Sequence, residues 1–154
     1  MEQAKLLSDT VLAIFRANGR LIAWGDHFAA AQALTSARWQ MLGALALAGE
    51  PLTAPQIADS MGVSRQGAQK QLNLLFADGL LTRTPNPAHQ RSPLYWLSAA
   101  GQQCFDAVDS RWREHALRVA ASFAPGELES VQRLLDKLAS LHPPEDAKGE
   151  NDAR

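Results

Sequence analysis

Arg65, Gln66, Gln69, Lys70 and Asn73 stand one, three and four residues apart, so on an α-helix they share one face. Guanidinium, ammonium and amide groups are the types that hydrogen-bond base edges and phosphate oxygens. Ser64 stands just before them, where its hydroxyl suits an N-cap and leaves a helix N-terminus that favours anions. Ala68, Leu72, Leu75 and Phe76 fall on the other side and read as the core face. A polar helical face is also what plain solvation produces. The neighbouring elements decide between the two.

Thr53 opens a short helix over about 54–61, with Ile57, Ala58 and Met61 facing inward. Ala58 is small where two helices cross, and Gly62 allows a tight turn into the second helix, about 65–78, with Gly79 at its C′ position. Residues 80–84 and 94–98 read as strands around "PNPAHQRSP", whose prolines are too stiff for a two-residue turn. Leu94 and Trp96 alternate faces with Tyr95 and Leu97. This order predicts a winged helix-turn-helix, and a helix about 10–12 Å across fits a DNA major groove.

The flanks read as helix. Val11, Leu12, Ile14 and Phe15, then Leu21, Ile22, Trp24 and Phe28, recur at helical spacings, with a break or bend expected at Asn18-Gly19. "TSARWQMLGALALAG" predicts a helix capped by Thr35 or Ser36 and stopped by Gly49, with Trp39, Leu42, Leu45 and Ala46 on one stripe. Two more helices follow, over about 99–122 and 126–141, the second started by Pro125 with Glu127 and Glu129 in its first turn. The fold class expected is mainly α with a small β-hairpin. Residues 1–142 form one domain, with helices at about 5–32 and 99–141 flanking the DNA-reading lobe at about 35–98, and 143–154 form a disordered tail. A lone subunit would expose the apolar faces of those flanking helices, so a second copy is expected to cover them.

Composition sets bounds. The 154 residues are 46% hydrophobic and 20% charged, with net charge −1, a globular balance and no overall basic character. Residues 64–97 carry four basic residues and one acidic, a local +3, whereas 125–154 carry seven acidic and four basic, a local −3. No apolar run approaches the roughly 18 residues of a membrane span, and "MEQAKLLSDTVLAIF" does not read as a signal peptide, so a cytoplasmic protein is expected. The single cysteine, Cys104, excludes an internal disulfide framework.

"LTSARWQMLGAL" (34–45), "LTAPQIADSMGVSRQGAQKQLNLLFADGLL" (52–81) and "NPAHQRSPLYWLSAAG" (86–101) together resemble the MarR family of winged-helix transcription factors over roughly residues 8–141. The resemblance implies that the helix near 65–78 reads the major groove and the wing tip enters the minor groove. It further implies that first and last helices intertwine into a homodimer, and that a small aromatic or phenolic effector binds between lobes and weakens operator affinity. The wing departs from the family pattern: Asn86 and His89 stand at acidic positions, Gln90 at one arginine, and Leu97-Ser98 replaces Leu-Thr, while Arg91 matches the second arginine. The candidate DNA contacts are Thr53, Gln56, Ser64, Arg65, Gln66, Gln69, Lys70, Asn73, Arg83, His89 and Arg91. Arg20, Trp24, His27, Phe28, Trp39 and Trp112 are candidate effector contacts; aromatic residues at helical spacing equally suit a core, and Arg20 an ion pair.

Other chemistry finds less support. Cys104 sits beside Phe105 with no basic neighbour in sequence, which favours a buried structural thiol over a redox switch. His27, His89, His115 and His142 lack ligand spacing, and "REHAL" is not the HExxH zinc helix, so neither metal nor cofactor is expected. No catalytic grouping appears, which argues against a small helical enzyme. The alternative to a double-stranded DNA-binding regulator, most often a repressor, is a winged-helix protein-interaction module without DNA affinity; Arg65 and Lys70 argue against it.

Overall fold

A computed structural model describes residues 1–144. Its first element, α1 (Glu2–Ala29), is one helix of 28 residues, running straight through the break expected at Asn18-Gly19. Both residues are exposed and nothing lies within 4 Å of a Cβ at Gly19, so no packing forces a turn. An interior glycine costs only about 1 kcal/mol against alanine, which a long hydrogen-bonded helix absorbs. A 3₁₀ turn, Ala30–Gln32, follows and closes at Ala33 with φ 56°.

Helix α2 (Ser36–Ala48) begins where Thr35 Oγ1 accepts the Arg38 N–H at 3.2 Å, and stops at left-handed Gly49. It crosses α1 closely. Ser36, buried, donates its hydroxyl to Ile22 O and its N–H to Asp26 Oδ1, both at 2.7 Å. Any Cβ at Gly25 would run into that hydroxyl. Helix α3 (Ala54–Met61) opens with a reciprocal capping box. Thr53 Oγ1 accepts the Gln56 N–H, and Gln56 Oε1 accepts the Thr53 N–H at 2.9 Å. Gly62, φ 64°, turns the chain into α4 (Arg65–Ala77), whose first turn Ser64 caps through the Gly67 N–H at 3.0 Å.

Strands β1 (Leu81–Thr84) and β2 (Leu94–Leu97) pair antiparallel, Leu81 opposite Leu97 and Arg83 opposite Tyr95. Each is one residue shorter than expected at the helix-facing end. Leu80 still closes α4 through its N–H to Leu75 O, and Ser98 is spent capping the next helix, accepting the Gly101 N–H at 3.0 Å. Leu52 adds an unexpected bridge: its N–H donates to Tyr95 O at 3.1 Å, and its carbonyl accepts the Tyr95 N–H at 2.8 Å. The core joins Met41, Leu42 and Leu45 to Ile57 and Ala58, then to Ala68, Leu72 and Leu75, and to Leu81, Tyr95 and Leu97. Phe76 does not belong to it. It is 39% exposed, and Arg83 lies over its ring instead, because α4 turns Leu75 inward at that level.

Helix α5 (Ala99–Ala120) ends two residues before the expected 122, and α6 (Glu127–Leu141) starts after Gly126, φ 81°, rather than directly after Pro125. The positive φ makes Gly126 the helix boundary, and Glu127 Oε2 accepts the Ala124 N–H to close the turn. The chain forms two compact units, Met1–Arg111 and Trp112 onward. The first leaves Leu6, Leu12, Phe15 and Leu21 exposed along α1; the second leaves Leu128, Val131, Leu134 and Leu135 exposed along α6, none of whose residues is buried. Apart from 143 and 144, the segment expected to be a disordered tail lies outside the described residues.

Candidate nucleic-acid interface

Helix α4 keeps the division read from its spacing except at Phe76, which is exposed. Ala68, Leu72 and Leu75 are fully buried, and this anchors the helix so that Arg65, Gln66, Lys70 and Asn73 are exposed together on its other side. Among the described residues, Arg65, Gln66 and Lys70 have no side-chain hydrogen bond or ion pair. Long cationic side chains standing free beside a capped helix N-terminus are suited to receive an anionic backbone. Asp78, the one acidic residue in 64–97, is paired at 3.2 Å with Arg38 of α2, which removes the charge most opposed to such a ligand. Both carboxylate and partner are partly exposed, so the pair contributes about 1 kcal/mol or less to stability.

Gln69 differs from its neighbours. It is half-buried, and its Nε2 donates to Asn73 Oδ1 and to the Tyr95 hydroxyl, each at 2.9 Å. Thr53 and Gln56 are occupied in the capping box, and Thr53 is buried, so this pair positions α3 rather than offering a free contact. Ser64 likewise holds the Gly67 N–H. Arg83 is exposed on β1 with its guanidinium 4.5 Å from the Phe76 ring centroid, tying the wing's first strand to the end of α4.

The wing loop is built by Asn86. Its Oδ1 accepts the Ala88 N–H at 3.1 Å and its carbonyl accepts the His89 N–H at 3.2 Å, an Asx-type turn that orders the tip without a carboxylate. The His89 carbonyl in turn accepts the Ser92 N–H, leaving the His89 and Arg91 side chains exposed at the tip.

The aromatic residues of α1 and α2 gather, as their spacing allowed. Trp24 stacks on Phe28 with centroids 4.7 Å apart, and Phe28 on Trp39 at 5.6 Å. Sequence reasoning missed Arg111 of α5, whose guanidinium lies 4.3 Å over Phe28 and whose Nη1 donates to Phe28 O and Gln32 Oε1, both at 2.8 Å. Only a tertiary contact 83 residues away in sequence reveals it. Arg20 and His27 are exposed on α1, and Trp112 belongs to the second unit, where its ring meets His115 at 5.7 Å. Cys104 is half-buried, its Sγ 3.6 Å from Gln32 O, and burial pushes its thiol above the ordinary range. That is the opposite of an activated nucleophile. Among the described residues, no three His, Cys, Asp or Glu side chains gather as a metal site, and no helix is long and apolar enough to cross a membrane.

Residues 34–92, which contain this whole helix-turn-helix and the wing tip, match the model of the MarR family. The chain belongs to the MarR family. The uncharacterized protein Rv2011c of Mycobacterium tuberculosis is 34% identical over 146 residues, covering 92% of this chain and 98% of that protein. At the level of fold, the chain is similar to a mutant MarR from E. coli complexed with operator DNA, with a TM-score of 0.70 at 18% identity over 82% of this chain and 90% of that one. It is similar also to Bordetella bronchiseptica BpsR, whose DNA binding is regulated by 6-hydroxynicotinic acid, with a TM-score of 0.72 at 20% identity over 85% and 98%. As a MarR-family transcription regulator the protein is a DNA-binding regulator and not an enzyme.

Proposed function

We propose that two copies of this chain bind a pseudo-palindromic operator as a repressor. Arg65, Gln66, Gln69, Lys70 and Asn73 enter the major groove, and Arg91, with His89 beside it, reaches the adjacent minor groove. The observation that carries this reading is the free, exposed cationic face of α4 directly behind a capped helix start. Arg83 steadies the wing through Phe76 and lies near enough to the α4 end to add a phosphate contact. Thr53, Gln56 and Ser64 serve by holding the two helix starts, whose backbone N–H groups face anions. A homodimer is supported by the leucines and Phe15 left exposed along α1 and, in the second unit, by the apolar residues left exposed along α6. Two-fold symmetry then sets the recognition helices about 34–36 Å apart, one turn of DNA.

An aromatic or phenolic effector would release the operator by stacking against the Trp24, Phe28 and Trp39 group, with Arg20 or His27 meeting a carboxylate or hydroxyl. The stacked rings support this, as does the regulation of BpsR by a small aromatic acid. The deciding experiment is a fluorescence-anisotropy titration of the purified protein against its own promoter region and random duplex across a salt series, with sedimentation velocity on the same sample. A dimer that prefers one duplex over random competitor, with affinity falling steeply as salt rises, is expected. A monomer, or equal affinity for every duplex, would sink the proposal.

A further inference from the structure

Tyr95 is 1% exposed, yet its hydroxyl touches the recognition face of a different element. Gln69 Nε2 donates to that hydroxyl and to Asn73 Oδ1, each at 2.9 Å. An amide nitrogen carries two hydrogens, and both are used. What remains to Gln69 is Oε1, an acceptor. What remains to Asn73, whose oxygen is occupied, is Nδ2, a donor.

We propose that Tyr95 is a specificity-determining positioning residue: from the wing strand its hydroxyl fixes the Gln69 amide, so that Gln69 and Asn73, one helical turn apart, present an acceptor and a donor to base edges in a set order. This rests on the reading of α4 as the groove-reading helix given above. A free glutamine reads adenine with both ends of its amide, donating to N7 and accepting from N6. Gln69 has no N–H left for that pattern. It accepts from an exocyclic amino group alone, adenine N6 or cytosine N4, while Asn73 donates to guanine O6 or N7 or to thymine O4. The pair reads as one unit.

Tyr95 is well placed to hold such an order. Its backbone is clamped on one side by both hydrogen bonds to Leu52 and on the other by β1, where it faces Arg83. Its ring is fully enclosed in the core that also anchors α4 through Leu72 and Leu75. The hydroxyl therefore has little freedom to follow Gln69 outward. Because Tyr95 sits on the strand that leads out of the wing loop, a shift of the wing would also shift the Gln69 amide, coupling minor-groove engagement to major-groove readout.

The test starts from the duplex that the unsubstituted dimer selects from a random library. Competition titrations then compare Tyr95→Phe, Gln69→Ala and the double variant on that duplex and on single-base-pair changes of it. Tyr95→Phe is expected to keep random-duplex affinity and salt dependence within about twofold, while losing about fivefold of discrimination, the worth of one neutral hydrogen bond, at the base pair that Gln69→Ala also relaxes. The double variant is expected to lose no more than Gln69→Ala alone. Discrimination retained within twofold by Tyr95→Phe, or losses that multiply in the double variant, would overturn the inference.

Should Tyr95→Phe fail to fold, side-chain amide exchange in the unsubstituted protein decides. The Gln69 amide protons are expected to exchange several-fold more slowly than those of exposed Gln66, and equal rates overturn the inference. An unsubstituted protein with no duplex preference would overturn the α4 reading itself, and this inference with it, before any variant is made.

Discussion

Gly101 lies buried in the first turn of α5, and replacing it with alanine is expected to loosen the junction that holds the wing to the rest of the lobe. A Cβ built there would overlap the Leu80 carbonyl oxygen and stand 2.9 Å from its carbon. The obstacle is backbone, and it is fixed on both sides: Leu80 N–H donates to Leu75 O at 3.0 Å, and Leu80 O accepts the Ser98 N–H at 3.1 Å. Ser98 is itself tied down, donating to Gly79 O at 2.6 Å and capping Gly101. Overpacking of this kind costs about 1–3 kcal/mol, and losing the Ser98–Leu80 bond adds about 1 kcal/mol. Alanine's better helix propensity returns at most about 1 kcal/mol. The expected net loss is about 1–3 kcal/mol, or a drop in Tm of about 2–4 °C per kcal/mol for a chain of this size.

Urea and thermal unfolding followed by far-UV circular dichroism measure it. Gly19→Ala is the internal control: nothing lies within 4 Å of its Cβ, so the same substitution should stabilise α1 by about 0.5–1 kcal/mol. If Gly101→Ala proves as stable as the unsubstituted protein, the tight packing of α5 on the β1 entry is refuted. A loss at Gly19 would mean that this face of α1 is covered in the assembled protein.

Arg65→Ala should cost about 1–3 kcal/mol in operator affinity if the guanidinium makes a bidentate base contact, and relax preference at one base pair; unchanged affinity and preference in a competition titration would exclude that role. Arg91→Ala should weaken binding most where the flanking sequence is A·T-rich, where the minor groove is narrow and most negative; an equal loss on G·C flanks would mark a plain phosphate contact. For Cys104, burial raises the thiol pKa in the folded protein, so the fold holds the proton more tightly than the unfolded chain does. Its stabilising effect is complete below the ordinary thiol range and fades as pH rises through and above it. Iodoacetamide at pH 8 should therefore modify the folded protein more slowly than the urea-unfolded chain, and equal rates, read by mass spectrometry, would contradict the burial.

Much of the lobe was written locally. Thr53 with Gln56, Gly62, and Ser64 with Gly67 act over three or four residues, so their spacing alone fixed where α3 ends and α4 begins. The same locality made the polar face of α4 legible, since a helix carries its own periodicity. Local rules failed where a distant partner decided. Asn18-Gly19 looked like a break, but solvent-exposed helix tolerates it. Phe76 had the spacing of a core residue, yet it became a platform for Arg83 from another strand.

The sequence by itself determined the order of elements, the capped turn between α3 and α4, and which residue types that helix offers to a groove, because capping and periodicity depend on neighbours along the chain. Only the tertiary structure decided that Tyr95 reaches Gln69, that Arg111 covers Phe28, and that Arg38 neutralises Asp78. Those contacts join residues 26, 83 and 40 positions apart, and no short-range pattern encodes which buried hydroxyl or distant guanidinium will arrive beside them.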